Sequence, residues 1–209
     1  MTETSIAGKL ATSPSKFKFI IQNLRNTKGM KPYMTSAETT AFTRYRDRSR
    51  NYFEFGCGGS TVFCSSPLRQ IKSVDNNYEW LNKVRPLIGS TTELIYINTG
   101  PVLEYGNPAD PTQTTGFADY SLAFNRRDPN TDLVLVDGRF RVACALQIVV
   151  SDYTGLVLLH DAERSEYQPL FKFFTVVERT ENLVALRVRS TADKKEAAIL
   201  WEIYKNIHK

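Results

Sequence analysis

The run Tyr52-Phe53-Glu54-Phe55-Gly56-Cys57-Gly58-Gly59-Ser60-Thr61 constrains this chain more than any other. Its aromatic, β-prone lead-in runs into three glycines and then into two hydroxyl side chains. That is the pattern of a strand ending in a tight turn, with Ser60 and Thr61 placed to cap a following helix. Glycine has no Cβ, so the main chain is free to take unusual φ and a ligand can lie directly on the peptide groups. Turns of this kind, leading from a parallel strand into a helix N-terminus, hold nucleotide-like ligands in open α/β sheets. A glycine-rich turn with no ligand is the alternative.

Spacing narrows the choice. A dinucleotide fingerprint needs G-x-G-x-x-G, and counting from Gly56 and Gly58 its third glycine falls on Thr61, which weakens an NAD reading. Downstream, Ile71-Lys72-Ser73-Val74-Asp75 reads as a second strand ending in an acid 19 residues after Gly56. An acid at about that distance accepts hydrogen bonds from a ribose diol, because a carboxylate is acceptor-only and takes both hydroxyl protons. Asp75 could equally cap the helix that starts near Asn77.

The acidic-x-Gly-x-Gly-Gly-Ser pattern with an acid after the second strand resembles the first motif of class I S-adenosylmethionine-dependent methyltransferases. The resemblance implies S-adenosylmethionine as cofactor, bound by Glu54, Gly56, Cys57, Gly58, Gly59, Ser60, Thr61 and Asp75, with Asp137 from the fourth strand. It also implies a Rossmann-like, doubly wound, mostly parallel seven-stranded sheet with an antiparallel last strand and helices on both faces.

The rest of the chain alternates in the same order. A helix is expected from Ser13-Pro14 to about Thr27, and the capping box Thr35-Ser36-Ala37-Glu38 opens another to about Arg48. Strands are expected at 51–55, 70–75, 93–98, 132–137 and 155–160, then a hairpin of 173–178 and 183–189. Helices are expected from Ser60, over 78–87, 119–124, 142–151 and 166–172, and at the end from Ala192 to Ile207. Strands four and five are continuous apolar runs, as parallel strands covered on both faces require. A Gly-, Pro- and Thr-rich loop, 99–117, is long enough to predict a mobile lid over the acceptor side. The whole is expected to be one domain of 209 residues: an N-terminal extension and helix over 1–32, a cofactor-binding core over 33–189 and a C-terminal helix over 190–209.

Two strand ends carry the chemistry. Strand four ends Val136-Asp137-Gly138-Arg139-Phe140-Arg141 and strand five ends Leu159-His160-Asp161-Ala162-Glu163-Arg164. Both resemble segments of small methyltransferase-like proteins. They are also similar to the metal-dependent catechol-type O-methyltransferases, whose acids at these positions bind a divalent cation. In that family an asparagine ligand follows the second acid; Ala162 stands here, so no metal is expected, although Asp137 and Asp161 would still make a hard-cation pair. The metal-free reading gives His160 or Asp161 the general-base role. Asp137 and Arg139 complete the catalytic set, and Arg139, Arg141 and Arg164 would grip an anionic acceptor. A structural hydrogen bond is the alternative for His160. Tyr33, Thr35 and Glu38 are expected to close over the methionine moiety, and Gly116 to Tyr120 to flank the adenine or the acceptor.

A net charge of +5 spread over small arginine clusters reads as solvated surface, and no RNA-binding signature accompanies it. The Asn-Pro-Pro-Tyr motif of amino-methylating enzymes is absent after strand four, which counts against base methylation. Three cysteines fit neither a zinc spacing nor a disulfide framework, and no apolar run approaches a bilayer's width, so the setting expected is cytoplasmic and off the membrane. The expected function is methyl transfer, preferably to oxygen, on a small acceptor. A non-catalytic cofactor-binding module or a nucleic-acid methyltransferase is the alternative.

Overall fold

The computed structural model describes residues 30–208; the helix expected between Ser13 and Thr27 lies outside them. Alternation along the first strand decides the architecture. In β1 (Asn51–Phe55), Phe53 and Phe55 point to one face and Tyr52 and Glu54 to the other, and only Asn51 is not buried. A strand apolar on both sides must lie inside a sheet with helices above and below.

That sheet has seven strands in the order β3-β2-β1-β4-β5-β7-β6. The parallel strands are β1, β2 (Gln70–Asp75), β3 (Thr92–Tyr96), β4 (Leu133–Val136) and β5 (Leu156–Leu159). The hairpin β6 (Phe174–Thr180) and β7 (Leu183–Val188) adds the antiparallel edge. On the Tyr52 face lie α1 (Ser36–Arg48), whose Phe42 is fully buried, and α2 (Gly59–Cys64) with α3 (Tyr78–Val84). The Phe53 face is covered by α4 (Phe117–Leu122), α5 (Arg141–Val150) and α6 (Lys194–Tyr204).

The capping box at Thr35 forms as expected, with Glu38 returning to the Thr35 N–H. Two helical segments are shaped by their local sequence. The helix from Ser60 lasts only to Cys64, because Ser65-Ser66-Pro67 follows, and proline disfavours helix in the residue before it. The segment expected as a helix near 166–172 is a 3₁₀ turn, Ser165–Leu170, since Pro169 inside it has no N–H to give.

The strand order reverses between β1 and β4, which is where the carboxyl edge of such a sheet opens. There the two following turns touch. A Cβ on Gly56 would lie 2.7 Å from the Gly138 Cα, and Gly56 has φ +98°. Only a glycine pair allows that approach.

Candidate functional site

The turn after β1 is shaped by buried acids and neutral donors. Glu54 is fully buried, and its carboxylate accepts the hydroxyls of Tyr52 (2.9 Å), Ser60 (2.7 Å) and Thr61. Thr61 in turn accepts the Gly58 N–H at 2.8 Å. Burial pushes Glu54 up to about 7, against the pull of these hydroxyls and of Ser73. Its side chain holds the turn from behind, through these hydroxyls. Thr61 is 0% exposed and Ser60 6% exposed, and both hydroxyls donate to Glu54.

Asp75 closes the turn from β2. Its two oxygens accept the Cys57 N–H at 3.0 Å and the Asn77 N–H at 2.8 Å, and burial pushes it up to about 6. Asn77, not Asp75, caps α3, through the Trp80 N–H at 3.0 Å. Trp80 was not singled out in the sequence. Its indole N–H donates to the Cys57 carbonyl at 2.6 Å and its ring lies 3.6 Å or more from a Cβ built on Gly58. Gly58 has extended backbone and only ordinary contacts around that Cβ, whereas a Cβ on Gly59 would strike the Lys31 carbonyl. Of the three glycines, Gly58 alone is not required by the protein's own packing.

The ends of β4 and β5 hold a different arrangement, built from opposite charges. Arg141 is 7% exposed; it lies 3.1 Å from Asp137 and 3.0 Å from Asp161, and donates to the carbonyls of Gly138, Asp137 and His160. Arg164 pairs with Asp161 at 2.5 Å. His160 meets Asp137 through Nδ1 at 2.9 Å and Glu38 through Nε2 at 3.4 Å, with Asp161 3.7 Å from Nδ1. Burial opposes a charge on that ring, yet the hydrogen bond and charge of Asp137, then Asp161 and Glu38, outweigh it and hold His160 above its ordinary value. Both nitrogens of His160 therefore face carboxylates, which ties the end of β5 to β4 and to α1.

Ligand atoms of Asp137, His160 and Asp161 lie within 4.8 Å of one another, a group that could hold a metal ion. Arg141 already bridges both carboxylates and His160 is engaged at each nitrogen, so the donor set does not fit a cation without dismantling these pairs. Arg141 and Arg164 are likewise paired with the acids, Arg141 buried and the Arg164 side chain 39% exposed. Arg139 stands apart: its Nε and Nη2 donate to the His208 carbonyl at 3.0 and 2.9 Å.

The flanking segments expected over the ligand do other work. Glu38 also accepts the Asn182 N–H at 2.9 Å, and the Thr35 hydroxyl donates to Glu181, so both tie α1 to the hairpin turn, while Tyr33 is 97% exposed. Phe117 and Tyr120 are core residues, Phe117 5.0 Å and Tyr120 5.3 Å from the Phe140 ring. The 99–117 loop carries structure of its own. A bridge joins Val102 to Pro108, and the buried Asn76 side chain pins the loop through the Thr99 hydroxyl and the Gly106 carbonyl.

Neither a protein-family model nor a curated protein matches the chain. Among solved structures, a methyltransferase-like protein from Silicibacter pomeroyi shares the fold with a TM-score of 0.75 and 25% identity, over 85% of this chain and 97% of that one. This likeness supports a methyltransferase in the generic sense. No helix among the described residues is long and apolar enough to cross a membrane.

Proposed function

We propose that the chain is an S-adenosylmethionine-dependent methyltransferase that methylates oxygen on a small, anionic acceptor. The observation that carries the reading is the contrast among the three glycines. Gly56 and Gly59 serve the protein's own packing, while a Cβ on Gly58 would meet only the Trp80 ring, at ordinary contact distance. A glycine that packing does not require, in the turn at the opening edge of the sheet, leaves room for a ligand to come close to the main chain. Asp75 uses one lone pair of each oxygen on the turn and keeps others for a ribose diol. S-adenosylmethionine would supply an activated methyl group. The protein's share is orientation and a dry cleft. The three free, buried cysteines support a cytoplasmic setting.

A second reading, a cofactor-binding module without turnover, is favoured by the self-satisfied cluster around His160. Parallel calorimetric titrations test the first: S-adenosylmethionine should bind and NAD should bind much more weakly. Asp75→Asn should weaken binding by about 1–3 kcal/mol, the scale of a lost hydrogen bond to a charged group. NAD binding as tight as the methyl donor would overturn the cofactor.

A further inference from the structure

We infer that Arg139 is a carboxylate-binding subsite at the opening edge of the sheet, occupied in this structure by the chain's own C-terminal segment. On the methyl-transfer reading just given, the acceptor is then a carboxylic acid methylated as its carboxylate.

Arg139 leaves β4 at the strand-order reversal, one residue after the glycine that touches Gly56. Its stem borders the β3 loop: a Cβ on Gly106 would lie 3.5 Å from the Arg139 Cγ. The Nε–Nη2 edge of a guanidinium is the edge that donates to both oxygens of a carboxylate in parallel hydrogen bonds. Here that edge closes on one neutral oxygen, the His208 carbonyl. Among the described residues Arg139 is in no ion pair, although it is half-buried. Burial, Arg141 and Arg164 all hold its pKa below the ordinary arginine value. A half-buried cation among cations, satisfied by a neutral dipole, gains when an anion replaces that dipole.

The occupant is well suited to leave. His208 lies beyond α6, which ends at Tyr204, and the intervening Ile207 is 41% exposed. Asn206 and Ile207 are both exposed, and exposed segments beyond a helix end open at lower cost than packed elements.

The missing base points the same way. His160 meets a carboxylate at each ring nitrogen, and Asp137 and Asp161 are paired with Arg141 and Arg164. A neutral hydroxyl acceptor would need one of them to take its proton. A carboxylate needs none. Its oxygen attacks the methyl carbon, the C–O bond forms, and the C–S bond breaks with its electron pair passing to sulfur. The products are a methyl ester and a neutral thioether, and no proton moves.

The test titrates the ¹⁵N-labelled full chain with benzoate, with and without S-adenosylhomocysteine. Saturable shifts are expected at the Arg139 Nε–H and at the amides of Ile207 and His208. Arg139→Gln should weaken benzoate by about tenfold or more, the scale of one lost charge-assisted pair. Arg139→Lys, which keeps the charge and loses the fork, should fall between, and thermal unfolding checks that both variants fold. Benzoate that leaves these signals unmoved, or binds wild type and Arg139→Gln alike, overturns the subsite. A second arm follows demethylated cofactor with aromatic carboxylates against phenols. Methylation of phenols but not carboxylates overturns the acceptor class and leaves the cofactor standing. Benzoate bound at Arg139 by a protein that fails to bind the methyl donor sustains the subsite and removes the cofactor reading instead.

Discussion

The turn after β1 holds buried acids and the cluster at the ends of β4 and β5 holds half-buried ones, and the two regions neutralise them in opposite ways. Glu54 and Asp75 face hydroxyls and backbone N–H groups. Asp137 and Asp161 face Arg141, His160 and Arg164. Neutral donors do not balance the burial of Glu54 and Asp75, which stay poised between about 6 and 7. They hold the main chain in shape without filling the space in front of it. Opposite charges satisfy one another and leave nothing over. Polarity alone therefore does not mark a ligand site; the residue types that answer the charge do.

The comparison is broken most severely at Arg141. Arg141→Ala leaves Asp137 and Asp161 without their shared cation, and should cost about 3–5 kcal/mol in denaturant unfolding, as when one partner of a buried pair is removed. A loss below about 1 kcal/mol would mean the cluster is solvated and available to ligands after all.

Next in size is a pair of glycine substitutions within the turn. Gly56→Ala meets both a φ of +98° and the Gly138 backbone, and should destabilise by about 2 kcal/mol or more. Gly58→Val has extended backbone and its Cβ meets only the Trp80 ring at ordinary contact distance, so stability should change less than in Gly56→Ala while binding of the methyl donor is lost. Retained binding in Gly58→Val would show that the ligand does not lie on this peptide.

The smallest effects are in pH dependence, at most about 1.4 kcal/mol per pH unit for one proton. Both Glu54 and His160 have folded pKa values above their unfolded ones, so each favours the folded state at low pH and loses that contribution as pH rises. For Glu54 the window runs from 4.5 to about 7; for His160 it opens at 6.5 and extends upward. Thermal unfolding against pH should therefore flatten in the lower window for Glu54→Gln and in the upper for His160→Gln. Identical profiles for the two variants would erase the distinction between the regions.

What was legible in the sequence follows from the range of the forces involved. Strand β1 and the capping box at Thr35 are local patterns, and both form where the residues place them. The roles of Glu38 and His160 were not legible, because they are set by partners 122 residues apart. Nothing near His160 announces that both nitrogens will meet carboxylates. Arg139 was picked out beside Asp137 by proximity in sequence, yet the tight turn through Gly138 and Phe140, at φ 54°, sends its guanidinium to the other end of the chain. Trp80 had no signal beyond its place early in a helix after an acid.

The Glu38 carboxylate gathers the Thr35 N–H, the Asn182 N–H and the His160 ring at a single point. Asn182 is 144 residues away, so this point closes a loop through most of the chain. The entropy of that closure must be met before the contact repays any of it, and contacts of such separation slow folding. Docking of α1 onto the β6–β7 hairpin is therefore expected to be a late event. Substitutions at Glu38 should then quicken unfolding and leave the folding rate nearly unchanged.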